Sequence, residues 1–228
     1  KEEKMSHEAQ ISRTSPTAFL FLVDQSGSMM DKMSSGRTKA EFVSDVLNKT
    51  LMDLITRCSK SEGIRDYFDI GVLGYGHQGV TNGFGSTLGS QVMNPISLLE
   101  QNPLRVEDRK RKMDDGAGGI LEVAVKFPMW FEPTANGGTP MRAALTKAAE
   151  VLAEWCDAHP DSYPPTILHV TDGESNDGDP EEIVNHLSQI GTNDGPVLIY
   201  NLHVSALSNS PIILPSSEHV LPDAYSKM

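Results

Sequence analysis

The sequence is short of several things, and each shortage removes a class of protein. Cysteine occurs only as Cys58 and Cys156, with no C-x-x-C spacing, so two buried free thiols are the reading favoured over a disulfide. No His-x-x-x-His pair or Cys/His cluster points to zinc. Basic residues are outnumbered, 19 Lys and Arg against 31 Asp and Glu, for a formal net charge of −12. Phosphate backbones need a basic patch, so nucleic acid is excluded as a partner. Apolar runs are short: the longest early one, Ala18 to Val23, cannot span a membrane, and no membrane partner is expected. Nucleotide and acyl-transfer signatures are missing too. The chain has no G-x-x-x-x-G-K-[ST] phosphate loop and no G-x-S-x-G nucleophile elbow. It shows no internal repeat or low-complexity tract. Lys1 to Gln10 is charged and polar, unlike a signal peptide, and a cytoplasmic location is the expectation.

What remains is a globular chain of 228 residues with 38% hydrophobic content and both charge signs, long enough for a substantial core. It is organised around Ala18-Phe19-Leu20-Phe21-Leu22-Val23-Asp24-Gln25-Ser26-Gly27-Ser28. The apolar run reads as a buried parallel strand, and it ends abruptly in an acid and two hydroxyls. Open α/β sheets bind ligands beyond the carboxyl ends of their strands, where Asp24, Ser26 and Ser28 would lie. Oxygen-only donors suit a hard cation such as Mg²⁺ or Ca²⁺ rather than zinc. Two later loops offer further oxygens. Thr139, in Gly137-Gly138-Thr139-Pro140, precedes a helical pattern with proline at its start, and Asp172 follows the apolar run Thr166-Ile167-Leu168-His169-Val170.

Together these residues resemble the von Willebrand factor A (vWA) family and its metal-ion-dependent adhesion site, a D-x-S-x-S motif with a distant Thr and a distant Asp. The likeness runs roughly from Thr17 to Ser205 and is nearest to single-chain bacterial intracellular members. It implies an α/β fold, doubly wound and Rossmann-like, with a mostly parallel sheet and one antiparallel edge strand. It also implies a Mg²⁺ site, with Mn²⁺ or Ca²⁺ as alternatives, formed by Asp24, Ser26, Ser28, Thr139 and Asp172. In the resemblance Ser26 and Ser28 ligate directly, whereas Asp24, Asp172 and Thr139 do so directly or through water. Asp24 to Asp31 is also similar to the start of the integrin β pattern, but Lys32 stands where a second acid would support an adjacent ion.

Along the chain, residues 1–16 read as a flexible N-terminal arm and 17–228 as a single domain. The family ends on a further packed helix, which makes Met228 a candidate artificial boundary. An amphipathic helix is expected from Thr38 to Cys58, with Phe42, Val43, Val46, Leu47, Leu51, Leu54, Ile55 and Cys58 on its apolar face. Asn48-Lys49-Thr50, a glycosylation triplet, falls inside it. Tyr67 to Gly76 reads as the second strand. The stretch 79–119 reads as an insertion that includes the edge strand, its charged run Arg105 to Asp115 forming a solvated face. Ile120 to Phe127 is an edge strand or its return. Helices are expected over Met141–Ala158 and Glu181–Ile190, a strand over Val197–Val204, and a last helix from Pro222.

The function expected from this pattern is a metal-dependent binding module, in which the cation bridges to an Asp or Glu of a partner protein. The alternatives are a scaffold subunit of a complex with an ATPase, kinase or phosphatase, its ion only stiffening loops, and, last, a metal-dependent phosphatase. The last lacks an acid/base, because Ser26 stands where a phosphatase of that kind carries its second aspartate. No catalytic residue is therefore expected. Asp24→Ala is expected to abolish ion binding at little cost to the fold.

Overall fold

The apolar run before Asp24 becomes the middle of the sheet. In the computed structural model, which describes residues 7–114, 116, 119–205, 212–215, 217, 219 and 221, the first elements are β1 (Thr17–Asp24), α1 (Lys39–Cys58) and β2 (Phe68–Gly76). The sheet edge and a short helix follow as β3 (Gly79–Asn82), β4 (Asn94–Pro95) and α2 (Ile96–Gln101). A long hairpin comes next, β5 (Arg105–Asp114) and β6 (Ile120–Met129). The chain returns to the body through α3 (Met141–Ala158), β7 (Thr166–Thr171), α4 (Glu181–Leu187) and β8 (Leu198–His203).

The main sheet has the order β8-β7-β1-β2-β3, with β4 also pairing with β2. Strands β8, β7, β1 and β2 are parallel, and β3 and β4 run antiparallel to β2. The chain leaves β1 through α1 to one side of the sheet and later reaches β7 on the other, so β1 and β7 flank the switch point at which such sheets bind ligands. Alternation along β1 sorts its side chains between two layers. Phe21 and Val23 pack with Val43, Leu47 and Leu51 of α1, whereas Leu20 and Leu22 pack with Ala144, Leu145 and Leu152 of α3. Both faces are covered, which is why the run is apolar throughout.

Helix α1 begins at a capping box, Thr38 Oγ1 accepting from Glu41 N while Glu41 Oε2 accepts from Thr38 N. Its buried face is rotated from the sequence expectation. Val43, Leu47, Leu51, Ile55 and Cys58 are buried, but Phe42 and Val46 are 40% and 48% exposed. In their place the helix buries Ala40, Ser44 and Asn48. The polar pair is recruited by the chain leaving the hairpin: Asn48 Oδ1 accepts from Trp130 N (2.7 Å) and Phe131 N (3.0 Å), and Asn48 Nδ2 and Ser44 Oγ both donate to Phe131 O. With no exposed surface, Asn48 is a core residue that no glycan could reach.

The stretch 79–119 divides in two. Residues 79–101 build the antiparallel edge and α2, while the charged run is one strand of the β5–β6 hairpin, paired from Arg105↔Met129 to Asp114↔Ile120 outside the main sheet. Ile120–Met129 is thus the return strand of that hairpin. Arg109 pins its base to α1, lying 3.8 Å over the Phe127 ring with Nη1 3.0 Å from Asp45 Oδ1. Residues 7–16, the inner part of the expected flexible arm, lie against the body: Glu8 N donates to Asp194 Oδ1, and the Ser15 and Ser162 hydroxyls are 3.2 Å apart. Helix α4 stops at Leu187, short of Ile190. The helix expected from Pro222 lies outside the described residues. Cys58 and Cys156 are both buried and free.

Asn48→Ala would leave two buried N–H groups without an acceptor. It is expected to cost about 3 kcal/mol in urea unfolding, far more than Phe42→Ala on the exposed face.

Candidate metal centre

The carboxyl ends of β1 and β7 place two acids side by side, since Val23 pairs with Val170 and each strand then runs on into an aspartate. Asp24 is 1% exposed and Asp172 8%. Both oxygens of Asp24 accept hydrogen bonds, Oδ1 from Ser26 N (2.8 Å) and Oδ2 from Thr171 Oγ1 (2.7 Å). Burial nevertheless pushes the Asp24 carboxyl above its ordinary pKa, with the neighbouring Asp172 charge adding to the rise and the Ser26 and Thr171 hydrogen bonds opposing it. Ser28 Oγ donates to Asp172 Oδ1 at 2.6 Å and lies 3.0 Å from Ser26 Oγ. Four of the five residues singled out in the sequence therefore meet through direct contacts.

Thr139 reaches the same place through its backbone. Gly27 N donates to Gly137 O (2.9 Å) and Asn176 N to Thr139 O (3.0 Å), tying the middle loop to the first and the third. The Thr139 hydroxyl makes no hydrogen bond among the described residues. The two glycines before it sit in tight quarters, and the first is required by its backbone. Gly137 has φ +82° and lies so close to the His77 backbone that a Cβ would sit 2.6 Å from its Cα, and a side chain at Gly138 would collide with the Asn176 amide. Asp177 closes the arrangement at the start of α3, accepting from Arg142 N and Ala143 N; those bonds overcome its burial and hold its pKa below the ordinary value. Asp179 Oδ1 accepts from Glu181 N at the start of α4. Both acids thus cap helix starts.

The donor set fits a hard cation. Octahedral Mg²⁺ with oxygens at about 2.1 Å places neighbouring ligands about 3 Å apart, and the two serine oxygens have that spacing. Two carboxylates, two hydroxyls meeting at one point and a third hydroxyl in reserve supply oxygen only. Among the described residues no group of three or more His, Cys, Asp or Glu comes together, so a carboxylate- or imidazole-rich site of another kind is not formed there.

Two participants escaped the sequence reading. Thr171 reads only as the first residue of the loop after the apolar run; it is the last residue of β7, and its hydroxyl holds Asp24. Lys39 is one cation among nineteen, but its Nζ lies 2.7 Å from Asp172 Oδ2 and 3.2 Å from Asp31 Oδ2. Burial disfavours its ammonium, but the hydrogen bonds and charges of Asp172 and Asp31 outweigh that and raise its pKa above the ordinary value. The available signal was the capping box Thr38-x-x-Glu41, which fixes Lys39 in the first turn of α1, beside the strand ends. The structure also corrects the expected tolerance of Asp24→Ala. Ala would strand the buried Ser26 N–H and leave the Thr171 hydroxyl only its 3.3 Å contacts with the Gly173 backbone, so the carboxylate supports the fold as well.

No family model matches the sequence, and no curated protein does. Among solved structures the chain is similar to proximal thread matrix protein 1 from the mussel byssus, at 17% identity and a TM-score of 0.47, covering 86% of this chain and 39% of that one. It is also similar to the SpRpn10 VWA domain, at 12% identity and a TM-score of 0.41, covering 84% and 78%. A third is manganese-loaded Plasmodium vivax TRAP protein, at 17% identity and a TM-score of 0.39, covering 87% and 61%. The chain spans about two fifths of the mussel protein's length. The fold is α/β, doubly wound. That statement stands on the strand order and register above, since every one of these scores is below 0.5. No helix among the described residues is long and apolar enough to cross a membrane.

Behind the centre, Tyr75 Oη and His169 Nε2 are 2.7 Å apart, both residues buried. Burial pushes His169 down to about 4, against a weaker opposing hydrogen bond from Asn201. It is therefore neutral in the folded chain, while the unfolded chain takes up its proton near pH 6.5. The stability this neutral histidine carries is complete above pH 6.5 and is lost as pH falls toward 4, by about 3 kcal/mol. Urea midpoints at pH 7 and pH 4.5 check this. His169→Gln, less stable at pH 7, is expected to lose less between the two.

Proposed function

We propose that this chain is a metal-dependent protein-binding module of vWA type, its cation held by Asp24, Ser26, Ser28, Thr139 and Asp172. The observation that carries the reading is the meeting of Asp24, Ser26, Ser28 and Asp172 at the ends of two neighbouring parallel strands, with the Thr139 loop bonded to both. Mg²⁺ is the ion the donor set favours, with Mn²⁺ or Ca²⁺ as alternatives. When bound, the ion supplies an exchangeable coordination position for an Asp or Glu carboxylate of the partner. The hydroxyls add no negative charge to that of Asp24 and Asp172, so the ion would stay more electrophilic than in an all-carboxylate shell, which favours exchange for a partner carboxylate. The Ser26 N–H and Thr171 hydroxyl fix the Asp24 carboxylate in place, and the uncommitted Thr139 hydroxyl can join the donor set when Asp172 withdraws.

Catalysis is outside this reading. Ser26 Oγ faces Ser28, and the position where a phosphatase of the kind considered carries its acid/base is filled by that serine. With the reading go a protein partner rather than nucleic acid or membrane, a cytoplasmic location and the bacterial intracellular type. A second reading, a scaffold subunit whose ion only stiffens the loops, is favoured by one observation: backbone bonds and the Lys39–Asp172 pair already hold the three loops together.

Titration of Mg²⁺ and Mn²⁺ into EDTA-stripped chain by calorimetry, followed by capture from native lysate with and without metal, separates the readings. Asp24→Asn keeps an acceptor for Ser26 N and is expected to weaken ion binding at least 100-fold, with a smaller loss of stability than Asp24→Ala. Thr139→Ala is expected to keep the ion and lose the partner. Ion binding with no metal-dependent partner would leave the scaffold reading standing.

A further inference from the structure

Lys39 sits where its helix gives it no reason to be. The first turn of α1 exposes backbone N–H groups and the positive end of the helix dipole, an unfavourable place for a cation. Its side chain is nonetheless 9% exposed and runs inward, with the ammonium between a wholly buried Asp172 carboxylate and Asp31, whose side chain is 67% exposed. The loop between the two partners is built for this. Lys39 N donates to Asp31 O at 3.0 Å, and Lys32 and Thr38 form an antiparallel bridge that closes residues 31–39 on themselves. Asp172 thus has one oxygen on Ser28 and the other on Lys39.

We infer that Lys39 is a resident cation of the centre, which a divalent ion must displace from Asp172, and that Asp31 is the acceptor that receives the displaced ammonium. This rests on the metal-binding reading above. An ammonium and a divalent ion cannot share one buried carboxylate without strong mutual repulsion. Lys39 already contacts Asp31, and that carboxylate stands largely in solvent and can turn to follow it. The exchange replaces one positive charge by two. A monovalent ion gains nothing over the ammonium, so the lysine also selects for divalent ions, and it keeps the buried Asp172 neutralised before one arrives. Lys39 and Asp31 are therefore positioning residues, acting on the ion through Asp172.

The test is Mn²⁺ alone, titrated by calorimetry into the EDTA-stripped full chain and its Lys39→Met, Asp31→Asn and double variants, with thermal melts of each with and without the ion. Lys39→Met keeps the buried stem and removes the charge. It is expected to tighten Mn²⁺ at least tenfold and to make the melting midpoint more dependent on the ion, because Asp172 then lacks any other cation. Asp31→Asn, at an exposed side chain that the fold does not need, is expected to weaken Mn²⁺ about threefold. In the Lys39→Met background that same change is expected to have a smaller effect, since no ammonium is left to receive. Wild type failing to bind while Lys39→Met binds would overturn the displacement, showing an ammonium that stands permanently in place of the ion. Equal affinity in wild type and Lys39→Met would overturn it and leave the metal site intact, as would equal effects of Asp31→Asn in both backgrounds. Failure of wild type and every variant to bind would overturn the metal reading itself.

Discussion

Two buried carboxylates at the ends of adjacent strands repel each other, and most of the local architecture answers that repulsion. Asp24 and Asp172 have little contact with water, so each needs donors fixed by the fold. Asp24 receives a backbone N–H and a threonine hydroxyl. Asp172 receives a serine hydroxyl and an ammonium. The turn at Ser26–Ser28, the capping box that starts α1 and the last residue of β7 follow from these needs. So does the course of the 31–39 loop, which carries a cation into a place that the helix dipole alone would refuse it.

Much of this was legible in the sequence, for definite reasons. A short run that is apolar at every position and bounded by Pro16 and Gly27 fits a strand covered on both faces best, and Ala18 to Val23 is one. The loops were found because Asp24-x-Ser26-x-Ser28 and Asp172 each follow such a run. The rotation of α1 was not legible: Phe42 and Val46 match the apolar period as well as their buried neighbours do, and only the partners of Ser44 and Asn48 decide the face. Of the β5–β6 hairpin only β6 was legible, as an edge strand or its return; β5 was hidden because charged residues occupy both of its faces, leaving no apolar period to read. Lys39 was hidden for another reason. A lysine's reach is longer than a helical turn, and sequence spacing does not say where an ammonium goes.

Polar contacts extend from the centre into the sheet. Thr171 joins Asp24 on β1 to β7, and Tyr75 on β2 meets His169 on β7 beneath it. Asn201 on β8 reaches His169 in turn. Side chains of β2, β7 and β8 are thus joined through His169, and β1 is joined to β7 through the Asp24–Thr171 pair. In an otherwise apolar sheet such links fix the register of each strand, because a slip by one residue would bury these groups without partners.

The centre is also spread widely along the chain. Ser28 and Asp172 touch across 144 residues, and Lys39 and Asp172 across 133. No hairpin or helix formed early in folding contains both halves. Closing so long a loop is entropically costly and must await the pairing of β1 with β7, a non-local parallel contact of the slow-forming kind. The centre is therefore a late product of folding. A ligand gripping it would recognise only the finished chain, adding to the lifetime of the native state without hastening its arrival.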